Sequence, residues 1–425
     1  MYKKIFKYFT IEAILKGLSI AILLSSFIYF SYLNIEAKLL NTLFGLLGLY
    51  LLIGNRNIVW FWSGLFIALF WFWWILLSFR FYDISWAIPI GTLMVMCVYG
   101  ALFWFADLIS NKLAGFTKLP IYLFHAIWLL SLSYIHPFGF DWFKPELIFI
   151  DSYIGIEKWQ FAIVLGAIVL SKISNKVVFL LFVTFAYSGW PADHKNEDIQ
   201  GIKLVSTNIS VDDKWQQAHQ DIMFKTFFTQ IDKAILEKKK IIVFPESVFP
   251  LFLNLEPQLL SMLQEKAKKI DMVIGALYWD ENIPRNSTYV FTNKKVTVIN
   301  KVVLVPFGEA NPLPQWIGKY INKIFFKEGV IDYVASDDII DYKLDNKQIR
   351  NAICYEATSE KLYINDPKYM IVISNNGWFQ PSIEPALQQL LLKYYSKKYG
   401  TTIYHSINMS PSYIIKNGKV FYAKQ

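Results

Sequence analysis

The sequence predicts a polytopic α-helical membrane bundle joined to an α/β layered sandwich. Three observations carry that prediction. Hydrophobic residues fill 55% of the 425 positions and aromatics 18%, more than an ordinary water-soluble domain holds. The excess is concentrated in residues 11–190, where long apolar runs follow one another. Residues 191–425 instead alternate polar and apolar segments of strand and amphipathic-helix length. The expected division is therefore 1–190 for the bundle and 191–425 for the globular half, and the length allows two or three domains.

A helix crosses the hydrocarbon core with about 20 apolar residues. The candidate spans are 12–33, 38–54, 58–79, 86–110, 120–136, 160–171 and 176–190, about seven in all. The last two, split by Lys172 and Lys176, can also be read as one broken hairpin. With the N-terminus inside, the inner segments hold Lys3, Lys4, Lys7, Lys16, Arg56, Lys112, Lys118, Lys172 and Lys176. The outer loops hold Lys38, Arg80, Lys144 and Lys158. That bias, nine against four, favours the N-terminus inside and the globular half outside the cytoplasm; a six-span reading reverses it. The first apolar run shows no clear small-residue cleavage site and leads into further spans, so no cleavable signal peptide is expected. Asp107 and His125 are the main ionisable residues within the spans, expected to pair inside the bundle or mark a pathway. The aromatic segment 137–159 is expected at the outer interface, where such rings are comfortable.

The net charge of +9 is scattered along the chain. No basic stripe interleaves with aromatics, which argues against a nucleic-acid partner and suits anionic lipid headgroups. The two cysteines, Cys97 in an apolar run and Cys354 in the globular half, are unsuited to pairing, so Cys354 is expected to be a free thiol. The histidines (His125, His136, His194, His219, His405) show no metal-ligand spacing.

In the globular half, strands are expected at 202–208, 240–247, 271–278, 287–292, 295–305, 348–354, 370–375 and 401–408. A hairpin over 412–422 turns at Asn417-Gly418. Helices are expected over 214–237, 256–269 and 384–399, and loop with short helix over 310–345. Three polar residues end apolar strands: Glu246, Lys301 and Cys354. The thiolate is the nucleophilic form of cysteine. A carboxylate can take its proton, and an ammonium with the Tyr355 backbone N–H can stabilise an oxyanion. On spacing alone, a capping glutamate, a surface lysine and an inert core cysteine explain the same residues.

A resemblance separates the two readings. Phe244-Pro245-Glu246-Ser247, the run from Asn300-Lys301 through Val305-Pro306-Phe307-Gly308-Glu309, and Ile353-Cys354-Tyr355-Glu356 resemble, in order, the three signature segments of the nitrilase superfamily. Lys301 to Glu309, Cys354-Tyr355-Glu356 and Ser374-Asn375-Asn376-Gly377-Trp378-Phe379 resemble more narrowly the bacterial apolipoprotein N-acyltransferase family. That family joins an N-terminal membrane bundle to a periplasmic nitrilase-like αββα sandwich, and the likeness runs over nearly the whole chain. It implies Glu246 as base, Lys301 as electrostatic stabiliser and Cys354 as nucleophile, with Glu309, Tyr355 and Glu356 in support. Trp215 and Asn286 lie in segments similar to those around the family's substrate pocket; by themselves they read as a helix-start aromatic and a turn residue. Trp316, Phe326 and Trp378 are further pocket candidates.

The resemblance implies acyl transfer from a phospholipid, through a Cys354 thioester, to the amine of a diacylglyceryl lipoprotein at the bacterial inner membrane, with no metal or cofactor. The apolar stretches 248–254 and 312–330 are expected as lids that admit acyl chains. The chain departs from the family in two places. No membrane span follows the sandwich before Gln425, and the helix at 384–399 carries Gln388, Gln389, Lys393, Lys397 and Lys398 where the family shows a histidine and an arginine. The rival readings are a membrane-tethered amidase or nitrilase using the same residues and a catalytically silent lipid- or lipoprotein-binding module.

Overall fold

The computed structural model describes residues 10–189, 196–214, 217–293, 295–306, 308–309 and 333–423. They fall into two compact units. Of these residues, the first holds those up to and including Phe79, those from Ile84 to Gly189, and Ser382–Leu390. The second holds the short segment Arg80–Asp83, the described residues from Asn196 to Pro381, and those from Leu391 to Ala423.

The first unit contains α1 (Ile11–Tyr32), α2 (Lys38–Gly54), α3 (Ile58–Phe72), α4 (Ala87–Thr117), α5 (Ile121–Ser131) and α6 (Lys158–Ser174), then a 3-10 stretch, Val177–Ala186. Thr10 caps α1, its hydroxyl accepting from the Ala13 N–H at 3.3 Å. The helices α1 and α4, of 22 and 31 residues, are long and apolar enough to cross a membrane. Small residues let helices approach closely where lipid supplies no hydrophobic drive. A Cβ on Gly64 of α3 would lie 2.6 Å from the Tyr99 carbonyl oxygen of α4.

One expectation for this unit needs correction. The third apolar run does not continue as helix to residue 79. It stops at Phe72, and a 3-10 turn, Leu77–Tyr82, follows; the unbroken aromatic and aliphatic run conceals the turn. The aromatic segment 137–159, expected at the outer interface, contributes rings to the packing of this unit. Phe140, Trp142 and Phe143 are buried and pack edge-on or tilted against Phe72, Trp74 and Trp71. Asp107 and His125 do pair: His125 Nε2 lies 2.9 Å from Asp107 Oδ1, and its Nδ1 3.0 Å from the Ile53 carbonyl. Asn111 donates to the other Asp107 oxygen at 2.7 Å.

In the second unit, the first sheet orders its strands β1 (Ile202–Leu204), β2 (Ile241–Val243), β4 (Asp271–Asp280), β5 (Ile283–Thr292) and β6 (Lys295–Asn300), with β3 (Phe249–Phe252) also paired to β4. The second sheet runs in spatial order from β12 (Lys419–Tyr422) through β11 (Tyr413–Lys416), β10 (Thr402–Asn408), β9 (Tyr369–Asn375) and β8 (Lys347–Ile353) to β7 (Asp341–Leu344). The central trio β8, β9 and β10 is parallel. A short helix α7 (Val211–Lys214) precedes α8 (Gln217–Leu236); α9 (Pro257–Lys266) and, from Leu391 onward, α10 (Glu384–Tyr399) complete the set.

Side chains alternate across a strand, and the two cores follow that alternation. Ile241 and Val243 of β2, Val273 of β4 and Val290 of β5 face a core shared with Ile349, Ile353, Ile371, Ile373 and Tyr404 of the second sheet. Their neighbours Ile242, Met272, Ile274, Tyr289 and Phe291 face the opposite core, with Phe227, Ile231 and Ala234 of α8 and Leu263 of α9. Each fully buried side chain of this size contributes about 1.5–3 kcal/mol. On the outer face of the second sheet, Tyr395 of α10 stacks on Tyr363 with centroids 4.6 Å apart. These layers form the αββα sandwich.

The stretch 248–254 is not a lid. Phe249 and Leu253 are completely buried in the α8/α9-facing core, and β3 pairs with β4. Its apolar character comes from core packing. The other expected lid, 312–330, lies outside the described residues, as do Trp215, Trp316 and Phe326.

Candidate active site

Three strand ends carry the residues expected at the site. Glu246 follows β2 by three residues, Lys301 follows β6 directly, and Cys354 follows β8 directly. Glu246 and Lys301 are 6% and 2% exposed, so neither is a solvated surface charge. They meet through Asn286 and Glu309. Asn286 Nδ2 donates to Glu246 Oε1 at 2.8 Å and to Glu309 Oε1 at 3.0 Å. Lys301 Nζ pairs with Glu309 Oε2 at 2.7 Å. The Val305 N–H also donates to Glu309 Oε2, at 2.9 Å, fixing the carboxylate that holds the lysine.

The Glu246 backbone fits only because residue 275 of β4 is glycine. A Cβ there would stand 2.7 Å from Glu246 Cα and 2.8 Å from the Pro245 carbonyl oxygen, distances that real Cβ atoms do not adopt. On the other side, Lys214 is 2% exposed, and its ammonium donates to the Glu246 carbonyl at 3.1 Å.

Cys354 sits in the left-handed region, with φ of 53°. A side-chain-bearing residue there costs about 1–3 kcal/mol and persists where its surroundings over-determine it. Glu356 supplies part of that constraint. One oxygen accepts from the Ile353 N–H at 2.7 Å, and the other from Val302 and Val303 at 2.8 and 3.2 Å. One buried carboxylate thus ties the Cys354 turn to the segment after Lys301. Tyr355 is buried beside it, its carbonyl accepting from Thr358.

Electrostatics follow from burial and crowding. Burial raises the Glu246 carboxyl, with Glu309 adding to the rise against Lys301, the Asn286 hydrogen bond and Lys214. Glu356 is lifted to about 7 by burial, against Lys301 and its three backbone donors. Burial alone would lower Lys301. Glu309, Glu246, Cys354 and Glu356 around it more than reverse that, so its ammonium is held above the ordinary lysine value. Lys214 has fewer anions near it, and burial pulls it down to about 8 despite Glu246. The arrangement therefore combines a buried carboxyl group, an ammonium held in its charged form and a thiol on a strained turn. That set can carry nucleophilic acyl transfer.

Of the remaining sequence candidates, Asn286 is the bridge between two carboxylates rather than a turn residue. Trp378 lies after β9, half-buried, with Tyr82 stacked on it at 6.2 Å and Phe81 edge-on at 5.4 Å. Lys214, Tyr82 and Tyr333 went unrecognised from sequence. Both tyrosine hydroxyls are raised by burial, with the Glu309 charge adding to the rise, and the Tyr333 N–H donates to the Glu309 carbonyl at 3.3 Å. Tyr82 precedes Trp378 by almost three hundred positions, and nothing local marks either tyrosine. Among the described residues no group of three or more His, Cys, Asp or Glu side chains is placed to hold a metal.

Residues 11–189 match the family model described as the apolipoprotein N-acyltransferase integral membrane domain. The chain is 39% identical over 400 residues to a protein of Wolinella succinogenes named apolipoprotein N-acyltransferase, covering 93% of this chain and 94% of that one. A protein of the same name from Campylobacter jejuni is 35% identical over 417 residues, with 95% and 89% covered. Among solved structures, a carbon-nitrogen hydrolase from Helicobacter pylori aligns with 52% of this chain and 84% of its own, at 9% identity and a TM-score of 0.39.

Proposed function

The chain belongs to the apolipoprotein N-acyltransferase family of membrane-integral acyltransferases, and from that premise we propose that it moves an acyl chain from a phospholipid, through a thioester on Cys354, to the α-amino group of a diacylglyceryl-cysteine lipoprotein. Glu246 takes the Cys354 proton, and the thiolate attacks the acyl ester. Lys301 and the Tyr355 N–H bear the oxyanion charge. The ester C–O bond breaks, the leaving oxygen takes the proton from Glu246, and lysophospholipid departs. The lipoprotein amine then attacks the thioester carbonyl with Glu246 again as base. The C–S bond breaks, the thiol is restored and the amide remains.

The observation that carries this reading is the buried chain of contacts from Glu246 through Asn286 and Glu309 to Lys301. It keeps the ammonium charged and leaves the buried Glu246 carboxyl raised above its ordinary value, the direction that favours a general base. The lysine and arginine bias supports the bacterial inner membrane, with residues 1–190 as the bundle and 191–425 facing the periplasm.

The full-length protein, reconstituted with acyl-labelled phospholipid, is expected to acquire a hydroxylamine-sensitive label on Cys354. It should pass that label to a diacylglyceryl-cysteine peptide. Cys354→Ala should abolish labelling, by roughly 10³-fold or more, and Cys97→Ala should retain it. A label released to water but never to the peptide amine would replace this reading with a hydrolase. Undiminished labelling in Cys354→Ala would refute it.

A further inference from the structure

Asn286 contains a hydrogen-bonding atom that its role as a bridge does not explain. Both its amide hydrogens go to carboxylate oxygens, Glu246 Oε1 at 2.8 Å and Glu309 Oε1 at 3.0 Å. Those two acceptors also fix which way the amide faces, since the reverse orientation would set its carbonyl oxygen against two carboxylates. The side chain is 6% exposed, and its Oδ1 accepts no hydrogen bond among the described residues. Buried acceptors are normally satisfied, and one that is not calls for an explanation. The orphan oxygen lies on the same small planar group as the nitrogen touching Glu246, so an acceptor position stands beside the base.

We propose that Asn286 Oδ1 is the docking point for the second N–H of the attacking primary amine. This rests on the acyl-transfer reading above and specifies its acceptor. A primary amine poised for attack has four directions to account for. Its lone pair points at the thioester carbonyl carbon, and one substituent is the acceptor's own α-carbon. One N–H is directed at the Glu246 carboxylate and the other at Asn286 Oδ1. As the N–C bond forms and the C–S bond breaks, the proton facing Glu246 moves to that carboxylate and on to the Cys354 sulfur. The proton facing Asn286 stays on nitrogen and becomes the N–H of the product amide. The site therefore requires two N–H groups on the nucleophile. Secondary amines and alcohols have one donor and fall short. Water has two, so Asn286 selects among amines and alcohols and does not itself exclude hydrolysis.

The test uses the full-length protein in phospholipid nanodiscs, with its Cys354 thioester preformed from labelled phospholipid. It is chased with three synthetic diacylglyceryl-cysteine peptides, bearing a free α-amine, an N-methyl α-amine, or a free α-amine on an α-methylated carbon. The wild type is expected to acylate the N-methyl peptide about tenfold more slowly than the parent, the loss that goes with one buried hydrogen bond. The α-methyl peptide, which adds similar bulk and keeps both N–H groups, should react near the parent rate. In Asn286→Leu and Asn286→Ser, the ratio of parent to N-methyl rates should fall toward one, whatever their absolute rates. Equal wild-type rates for the parent and N-methyl peptides, or equal slowing by both methyl groups, overturns the assignment. An N-methyl penalty undiminished in the variants does the same. A wild type that forms no thioester, or transfers to none of the peptides, removes the acyl-transfer reading itself.

Discussion

Two of the buried polar clusters among the described residues are similar in make-up and opposite in character. In the bundle, the two oxygens of Asp107 are taken by His125 and Asn111, and both ring nitrogens of His125 face oxygens. In the sandwich, Glu246, Asn286, Glu309 and Lys301 are linked as tightly, yet the cluster ends in an Asn286 oxygen that has no partner among the described residues and a cysteine on a strained turn. Burial alone does not separate structure from chemistry, because Asp107 and His125 are more deeply buried than Cys354. The distinction lies in closure. A network with every atom partnered holds helices together, whereas one that stops short has capacity left for a substrate.

The comparison can be broken or sharpened at four positions. The largest effect is expected from Gly275→Ala, which drives a methyl group into the Glu246 backbone. A displacement of about 1 Å costs roughly 10²-fold in rate. Acyl-enzyme formation should fall by that order, and a rate within twofold of wild type would show that Glu246 tolerates movement. Asp107→Leu should act oppositely. It leaves His125 and Asn111 without their shared carboxylate and should lower thermal stability in detergent by about 1–3 kcal/mol. The rate per folded molecule should stay near wild type; a specific loss of rate would place Asp107 in the chemistry.

Glu356→Gln falls between the two clusters. The amide sets an NH₂ against backbone donors that now meet a carboxylate. A loss of about 1–2 kcal/mol is expected, together with slower thioester formation. Stability loss with an unchanged rate would make the clamp purely structural.

The smallest effect is a pH slope. Lys214 is held at about 8 in the folded protein, against an ordinary 10.5. Between those values the unfolded chain binds more protons, so stability rises with pH through that window and is flat below it. Lys214→Met should remove the rise, as thermal unfolding from pH 7.5 to 10.5 would reveal. An unchanged slope would mean that Lys214 is not the group responsible.

Sequence reading reached the strand ends because they are local. Apolar runs of strand length stop at Glu246, Lys301 and Cys354, and the turn chemistry is written beside them. It misjudged 248–254 because an apolar stretch around Pro250 suits a lid as well as a strand in the core. Pro250 is tolerated in a strand joined through an irregular register to β4 alone. It passed over β7 because four alternating residues, Asp341–Leu344, carry little signal within a polar loop. The bridge from Asn286 to Glu246 spans forty positions and the clamp from Glu356 to Val302 fifty-four, so no local pattern announces either. Resemblance supplied the names of several of these residues but not their hydrogen bonds.

The Glu356 clamp also bears on the inhibition of this protein. One carboxylate grips both the Cys354 turn and the backbone after Lys301, so the segments that carry thiol and ammonium are tied together. A small electrophile that bonds to the sulfur would find its positive counterpart at a set spacing. An anionic arm of the right length could then seat without any rearrangement of the protein, so that affinity would be governed by the shape of the inhibitor.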